Sequence, residues 1–379
     1  MMEGSKLLLF RCIKSALNGV KINEFDATLL RDVYALAVAH DMAHLVAEAL
    51  DSAGLLTGDP DTVAALRRAR FAAVFRAEQF DEALVRIREL LGAKGIPFLP
   101  LKGAVIRELY PSRWQRTSCD IDVLVEEKNL AAAAQALAEC GDFSMGEKGA
   151  HDLSLYSEAG VHIELHYTLS EEHIPLEIQR ILHTVWQHTH AEGAEHTLNP
   201  DFLYFYHIAH MAKHFMLGGC GIRPLLDLWL LRQRYSYTDR LDMLLEESGL
   251  TTFERAARHL AAVWLADATH DDVTARMEAF ILHGGVYGTL QNQIVVEQKR
   301  KGKLGYVLSK IFLPYNRLKH QYPVIQRHKW LTPVCAVRRW CRLLFGGEWR
   351  RVRHTLRVNN GLTREAVRAA GELFDDLSI

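Results

Sequence analysis

Thr117-Ser118-Cys119-Asp120-Ile121-Asp122-Val123-Leu124-Val125-Glu126 is the stretch on which the fold turns. Apolar and acidic residues alternate through 120–126, which predicts a strand. Side chains two apart on a strand share a face, so Asp120 and Asp122 project together, with Cα atoms about 6.5–7 Å apart. Ile121, Val123 and Val125 project the other way, toward a core. Two adjacent carboxylates repel each other and cost stability unless a cation neutralises them. A divalent ion with oxygen ligands is the natural partner.

Downstream, Val161-His162-Ile163-Glu164-Leu165-His166 alternates in the same way. His162, Glu164 and His166 take one face, and Val161, Ile163 and Leu165 the other. If this strand pairs with the Asp-Ile-Asp strand, Glu164 lands beside Asp120 and Asp122. Three such carboxylates can hold two Mg²⁺ ions, with Mn²⁺ as a substitute, for in-line phosphoryl or nucleotidyl transfer. A lysine or arginine that filled the space among the acids and neutralised it would overturn that reading. Upstream, Leu101-Lys102-Gly103 lies between a short apolar run and a helical pattern. Gly103 would let the backbone approach a phosphate at a helix N-terminus, and Lys102 would add a point charge. Arg116, four residues before Asp120, is expected to meet a phosphate or carboxylate, whereas Arg107 and Arg113 read as surface residues.

Around these segments the pattern is helical. Residues 1–94 recur with the helical period, and Asp59-Pro60 opens a long helix. Residues 96–101 read as a buried strand weakened by Pro97 and Pro100. A helix at 103–110, the 120–126 strand, an Ala-rich helix at 130–140 and a hairpin of 151–157 with 161–167 complete a β-α-β-α-β-β unit over 95–169. Residues 170–295 return to helix: Asn199-Pro200 caps the first long one, and four more follow. Residues 296–379 are basic and helical, broken into short pieces by Pro314, Pro323 and Pro333.

The ordered set LKG, LYPSRWQRTSCDIDVLV and VHIELHY resembles the pattern of the DNA polymerase β-like nucleotidyltransferase superfamily. More narrowly, it resembles the bacterial family known as uncharacterised nucleotidyltransferases. The resemblance implies an α+β chain. A small mixed-sheet nucleotidyltransferase core would be embedded between an N-terminal helical region and a larger C-terminal helical region that closes the cleft. It implies Mg²⁺-dependent transfer of a nucleoside monophosphate from an NTP to a hydroxyl acceptor, small molecule or protein. Asp120, Asp122 and Glu164 match the metal-binding acids, and Lys102 and Gly103 match the turn after the first strand. The superfamily's usual serine is missing from that turn.

His207, His210 and His214 share one face of the helix that Asn199 caps. The glutamate of a zinc HExxH is absent, and Lys213 would oppose a cation. The face is therefore read as packing against the sheet domain, or as an acceptor or phosphate site involving Lys213. His210 and His214 are general-base candidates there, because imidazole titrates near neutrality. Arg223 and Asp227, four apart, are expected to pair with each other.

The 379 residues are 49% hydrophobic and 24% charged, a balance that excludes disordered and fibrous classes. No apolar run approaches a membrane span, the first residues lack a secretory h-region, and six scattered cysteines show no CxxC. A reduced, cytoplasmic protein is expected. The net charge of −1 hides a local balance of +14 over residues 297–357, so the rest carries −15. Trp330, Trp340, Phe345 and Trp349 interleave there with Arg338, Arg339, Arg342, Arg350, Arg351 and Arg353. This region is read as core, as a peripheral contact with an anionic membrane surface, or, less favoured, as a nucleic-acid face. A catalytically inactive protein that binds nucleotide or an acidic partner through it is the alternative to an enzyme.

Overall fold

Four α-helices precede the sheet: α1 (Met2–Asn18), α2 (Leu30–Ala39), α3 (Ala43–Ser52) and α4 (Pro60–Ala93). They belong to a computed structural model that describes every residue except 1, 140, 172–173, 287, 314, 316–317, 319–320, 346–356 and 360–361. Asp59 caps α4 by accepting the Thr62 N–H at 3.0 Å, with Pro60 in the first turn. Strand β1 (Phe98–Pro100) and the single-turn helix α5 (Gly103–Ile106) come next, followed by β2 (Asp120–Val125) and α6 (Leu130–Glu139). Then come β3 (Phe143–Lys148), β4 (Asp152–Ser157), β5 (His162–His166) and α7 (Leu176–Leu182). A hairpin of β6 (Thr189–Glu192) and β7 (Glu195–Leu198) leads into α8 (Pro200–Met216) and α9 (Arg223–Arg234). Helices α10 (Asp239–Glu247), α11 (Thr251–Ala266), α12 (Asp272–Gly284) and α13 (Leu290–Ile311) complete the helical body. Shorter helices, Val324–Arg327 and Thr332–Phe345, precede a last one, Arg364–Asp376. The chain is thus α+β, with one mixed sheet set into helices.

The seven strands run in the order β3-β4-β5-β2-β1-β7-β6. Strands β2 and β5 pair in parallel, with Asp120 opposite His162 and Asp122 opposite Glu164. That pairing is the one expected for the acidic strands. One face of the sheet carries Ile121, Val123, Val125, Ile163 and Leu165 onto Phe80, Leu84, Ile87 and Leu91 of α4 and Ala133 and Leu137 of α6. The other face sends Leu99 and Leu124 into the larger core, which α8 joins through Phe202, Phe205 and Phe215. The polar end of this second face therefore looks into a gap between sheet and helices. Pro100 is tolerated in an internal strand because β1 meets β7 only at Phe98.

Three strands lie outside the expected β-α-β-α-β-β order. In β3 only Phe143 is buried and the following residues are exposed, so alternation is absent. The β6–β7 hairpin is four residues per strand and polar, too short for a period to show. In the basic region, α13 runs 22 residues and is kinked at Gly302, where φ is +69°. Pro314, Trp349, Arg350, Arg351 and Arg353 lie outside the described residues.

The ion pairs between sheet and helices also differ from expectation. Arg223 and Asp227 do not pair with each other. Arg223 reaches Asp41 at 3.1 Å, and Asp227 takes both Arg116 Nε at 2.9 Å and Nη2 at 2.7 Å, with Tyr110 Oη at 2.8 Å. Asp227 is buried, and there the Arg116 guanidinium and the Tyr110 hydroxyl take up its carboxylate oxygens. Arg107 is buried too, rather than on the surface, with its guanidinium 4.4 Å from the Phe80 ring centre and 3.1 Å from Asp81. Burial disfavours the Asp227 carboxylate, but Arg116 outweighs it and holds the acid below its usual range.

Removing one partner of this pair leaves a buried charge unmatched. Asp227→Ala is expected to lower unfolding stability by about 3–5 kcal/mol in urea titrations, while Arg116→Met with Asp227→Leu recovers much of it. A loss below about 1 kcal/mol in the single variant would show that the pair does not tie α9 to the sheet.

Candidate active site

Leu101 donates its N–H to the Asp122 carbonyl at 2.9 Å, so the chain leaves β1 directly beside the acidic strand. Lys102 then adopts φ +42° and ψ −110°. Non-glycine residues rarely take such a conformation, which costs about 1–3 kcal/mol. Here it turns the chain into α5 while the Lys102 ammonium reaches back to Asp122 Oδ1 at 2.7 Å. Asp122 is buried, at 3% exposure. His166 Nε2, from β5, also donates to Asp122 Oδ1 at 2.8 Å and lies 3.3 Å from Glu164 Oε2. Among the described residues, Asp122, Glu164 and His166 offer ligand atoms within 4.8 Å of one another. Asp120 sits on the same face of β2, 3.3 Å from Ser118 Oγ.

These residues line a cavity of about 340 Å³ between the sheet and helices α8 and α9. Asp120, Asp122 and Glu164 are on one wall, and Tyr206, His210, Lys213 and His214 are on the other. The size falls in the range of small-molecule sites, about 300–1,000 Å³.

The lysine among the acids bears directly on the metal reading. Three carboxylates face one ammonium, a formal balance of −2, or −1 when His166 carries a proton. The imbalance is visible at each group. Burial opposes charge on both Lys102 and Asp122, yet each outweighs it for the other: the ammonium is held above its usual range and the carboxyl below. Asp120 is pushed up, by burial first and by Asp122 next, with Lys102 only partly opposing. The Glu164 carboxyl is pulled down, chiefly by its bond from His166. His166 itself is raised, because its bonds to both acids outweigh burial. An oxygen-rich set with residual negative charge and one acid still strained by its neighbours fits a hard divalent cation. Asp122, Glu164 and His166 bring ligand atoms close enough to hold it, Asp120 lies outside that set on the same face of β2, and Lys102 stands in the place of part of that charge.

The expected phosphate ligands fare differently. Arg116 is committed to Asp227, and its Nη1 would lie 2.8 Å from a Cβ added at Gly103. Ser118 Oγ would be equally close. Gly103 thus makes room for protein side chains rather than open space for a phosphate. Helix α5 is four residues long, too short for much of a dipole. Lys213 is paired with Glu171 at 2.7 Å. So Lys102, Arg116 and Lys213 each hold a carboxylate, because each lies in a buried or half-buried place where an unmatched charge is costly.

His210 and His214 face each other, Nε2 to Nε2 at 3.1 Å. Neither titrates near neutrality. Burial and then Lys102 push His210 well down, and burial with Lys213 and Lys102 brings His214 to about 4. They are neutral hydrogen-bonding groups rather than poised bases. His207 turns away from them to the Pro224 carbonyl at 2.8 Å, so the three histidines do not form a zinc set.

His166, Ser118, Tyr206 and Glu171 were not picked out by sequence reasoning. For His166 a signal existed, since the alternation that faced Glu164 inward faced His166 inward too. Glu171 follows β5 in irregular chain, where no period points anywhere.

An Asp-x-Asp strand paired in parallel with a glutamate strand, under a helical wall, defines a site compatible with nucleotidyl transfer. The chain belongs to the uncharacterised nucleotidyltransferase family, whose model matches residues 26–266. That span holds the whole sheet and the helices from α2 through α11. No curated protein and no solved structure gives a match.

The neutral buried histidines have a consequence for stability. His44, His207, His210 and His214 all have folded values below the ordinary value of about 6.5. The unfolded chain then binds more protons than the folded one below about pH 6.5, so stability falls as pH falls toward the folded values. Burial lowers His40 and His188 as well, so His166, shifted the other way, opposes this with one group against six. Unfolding free energy from urea titration is expected to drop by about 1 kcal/mol or more between pH 7 and pH 5, and less in His210→Gln with His214→Gln. A flat or rising profile toward acid would contradict the assignment.

Proposed function

We propose that the protein transfers a nucleoside monophosphate from an NTP to a hydroxyl of an acceptor, using divalent cations held by Asp120, Asp122 and Glu164. The observation that carries this is the β2–β5 register, which sets Asp122 opposite Glu164 at the edge of a cavity and leaves the acids in excess over Lys102. Family membership supports the same reaction class. Mg²⁺ is the first choice, since the donor set is oxygen-rich.

Bound there, such cations would neutralise the triphosphate and acidify the attacking hydroxyl. The chain's own groups do the rest. Lys102, whose ammonium lies 2.7 Å from Asp122, would be the nearest cation of the chain to a bound phosphate oxygen. His166 keeps its bonds to Asp122 and Glu164 and fixes both carboxylates. The neutral His210–His214 pair offers a donor and an acceptor on the opposite wall, where the acceptor hydroxyl would be oriented. Arg116, engaged with Asp227, and Lys213, engaged with Glu171, shape the cavity wall and hold α8 and α9 at their distance from the sheet.

The Lys102–Asp122 contact also favours a second reading, a non-catalytic nucleotide binder in which the lysine stays on the acid. Labelled-NTP transfer by the purified chain, with each of the four NTPs and a cell extract as acceptor source, separates the two. Asp120→Asn with Asp122→Asn is expected to cut transfer at least about a hundredfold, because metal-based charge stabilisation is worth several kcal/mol. Chelation should abolish it. Unchanged transfer in the double variant would sink the carboxylate assignment. NTP binding that chelator leaves intact, with no transfer, would favour the binder.

A further inference from the structure

Beyond residue 266, where the family match ends, the helix Thr332–Phe345 carries an apolar stripe on the wrong side for a core. Cys335 is buried with Leu318 and Ile325 in a small cluster of its own. Val334, at 59% exposure, and Val337, at 52%, face solvent, as does Cys341. At about 100° per residue these three fall within an arc of about 60°. Trp330, in the 3₁₀ turn just before, continues the stripe and is 74% exposed. Phe312, 57% exposed, packs edge-on against Trp340 at 5.3 Å and widens the apolar surface.

Along the sequence, the charge on either side of this stripe is of one sign. Residues 298–347 contain twelve Lys or Arg and no Asp or Glu. Arg327, Lys329, Arg338 and Arg342 are exposed around the stripe. Among the described residues, Arg327, Lys329 and Arg338 have no carboxylate partner. No helix among the described residues is long and apolar enough to cross a membrane.

We propose that this face docks on an anionic lipid surface, with Trp330, Val334 and Val337 entering the headgroup boundary and the basic side chains meeting lipid phosphates. An apolar face rimmed by cations is the amphipathic pattern of an interfacial helix, in which insertion and electrostatic attraction act together. A second copy of the chain is the poorer occupant, because a two-fold contact would bring the same cationic rim against itself. Nucleic acid is poorer too, since Trp330 is the one exposed ring on the stripe and the neighbouring Val334 and Val337 offer successive bases no stacking face. The proposal stands independently of the nucleotidyl reading.

The test is sedimentation of the full-length chain with phosphatidylcholine vesicles, plain or with about 30% phosphatidylglycerol. Wild type is expected to pellet with the anionic vesicles only, and less at high salt. Trp330→Ser with Val334→Ser and Val337→Ser should lower the bound fraction about tenfold. All three side chains are exposed, so an unchanged thermal melt is expected to accompany that loss. Arg327→Gln, Lys329→Gln and Arg338→Gln together should remove the preference for anionic lipid. In Trp330→Phe, binding should persist while tryptophan quenching by brominated lipid falls. Equal pelleting with both vesicle types would overturn the proposal, as would undiminished binding by the serine variant. So would a wild-type dimer that the serine variant turns into monomer. Single-stranded RNA bound by a chain that no vesicle pellets would reassign the face to nucleic acid.

Discussion

Three carboxylates on neighbouring strands, one buried and two half-buried, share one corner with a single ammonium group. That mismatch of charge organises the centre of the molecule. Asp120 and Asp122 face the same way because they are two apart on β2, and Glu164 joins them because β5 runs parallel and in register. Burial raises the stakes, since like charges in a poorly solvated place repel strongly. Lys102 relieves part of the repulsion, and the turn that delivers it accepts an uncommon backbone state to do so. The same contact that quiets the acids also keeps them together and pointed inward.

The surrounding helices are fixed by further pairs of opposite charge. Arg116 with Asp227, Arg223 with Asp41 and Lys213 with Glu171 each link different elements around the cavity. Each is matched locally, so the cavity's walls contribute little net charge and its character is set by the acidic strand pair. The helical wall brings neutral imidazoles and a buried tyrosine, groups that orient a ligand without adding charge.

Much of this was legible in the residues alone. Alternation placed the acids of β2 and β5 on one face, because a two-residue period leaves no freedom once one face is apolar. Caps such as Asp59 and Asn199 marked helix starts for the same local reason, a side-chain oxygen meeting a free N–H. What failed to show was long-range or weakly patterned. The β6–β7 hairpin is too short and polar to display a period, and β3 lies at an edge with most of its side chains in solvent. The partners of Arg116 and Asp227, 111 residues apart, follow from how α9 docks, which no local spacing encodes. The depressed values of His210 and His214 likewise come from burial and from Lys102 and Lys213, not from the helix they sit on.

The central claim is that these acids form a cation site that one lysine only partly fills. Titration of Mn²⁺ into the purified chain, followed by electron paramagnetic resonance with and without a non-hydrolysable NTP, addresses it most directly. The account predicts that the free Mn²⁺ signal is lost as the protein takes up the ion, that NTP tightens this uptake, and that Glu164→Gln weakens it. A free-ion signal that ignores the protein under both conditions would mean that Lys102 satisfies the acids by itself, and the account would be wrong.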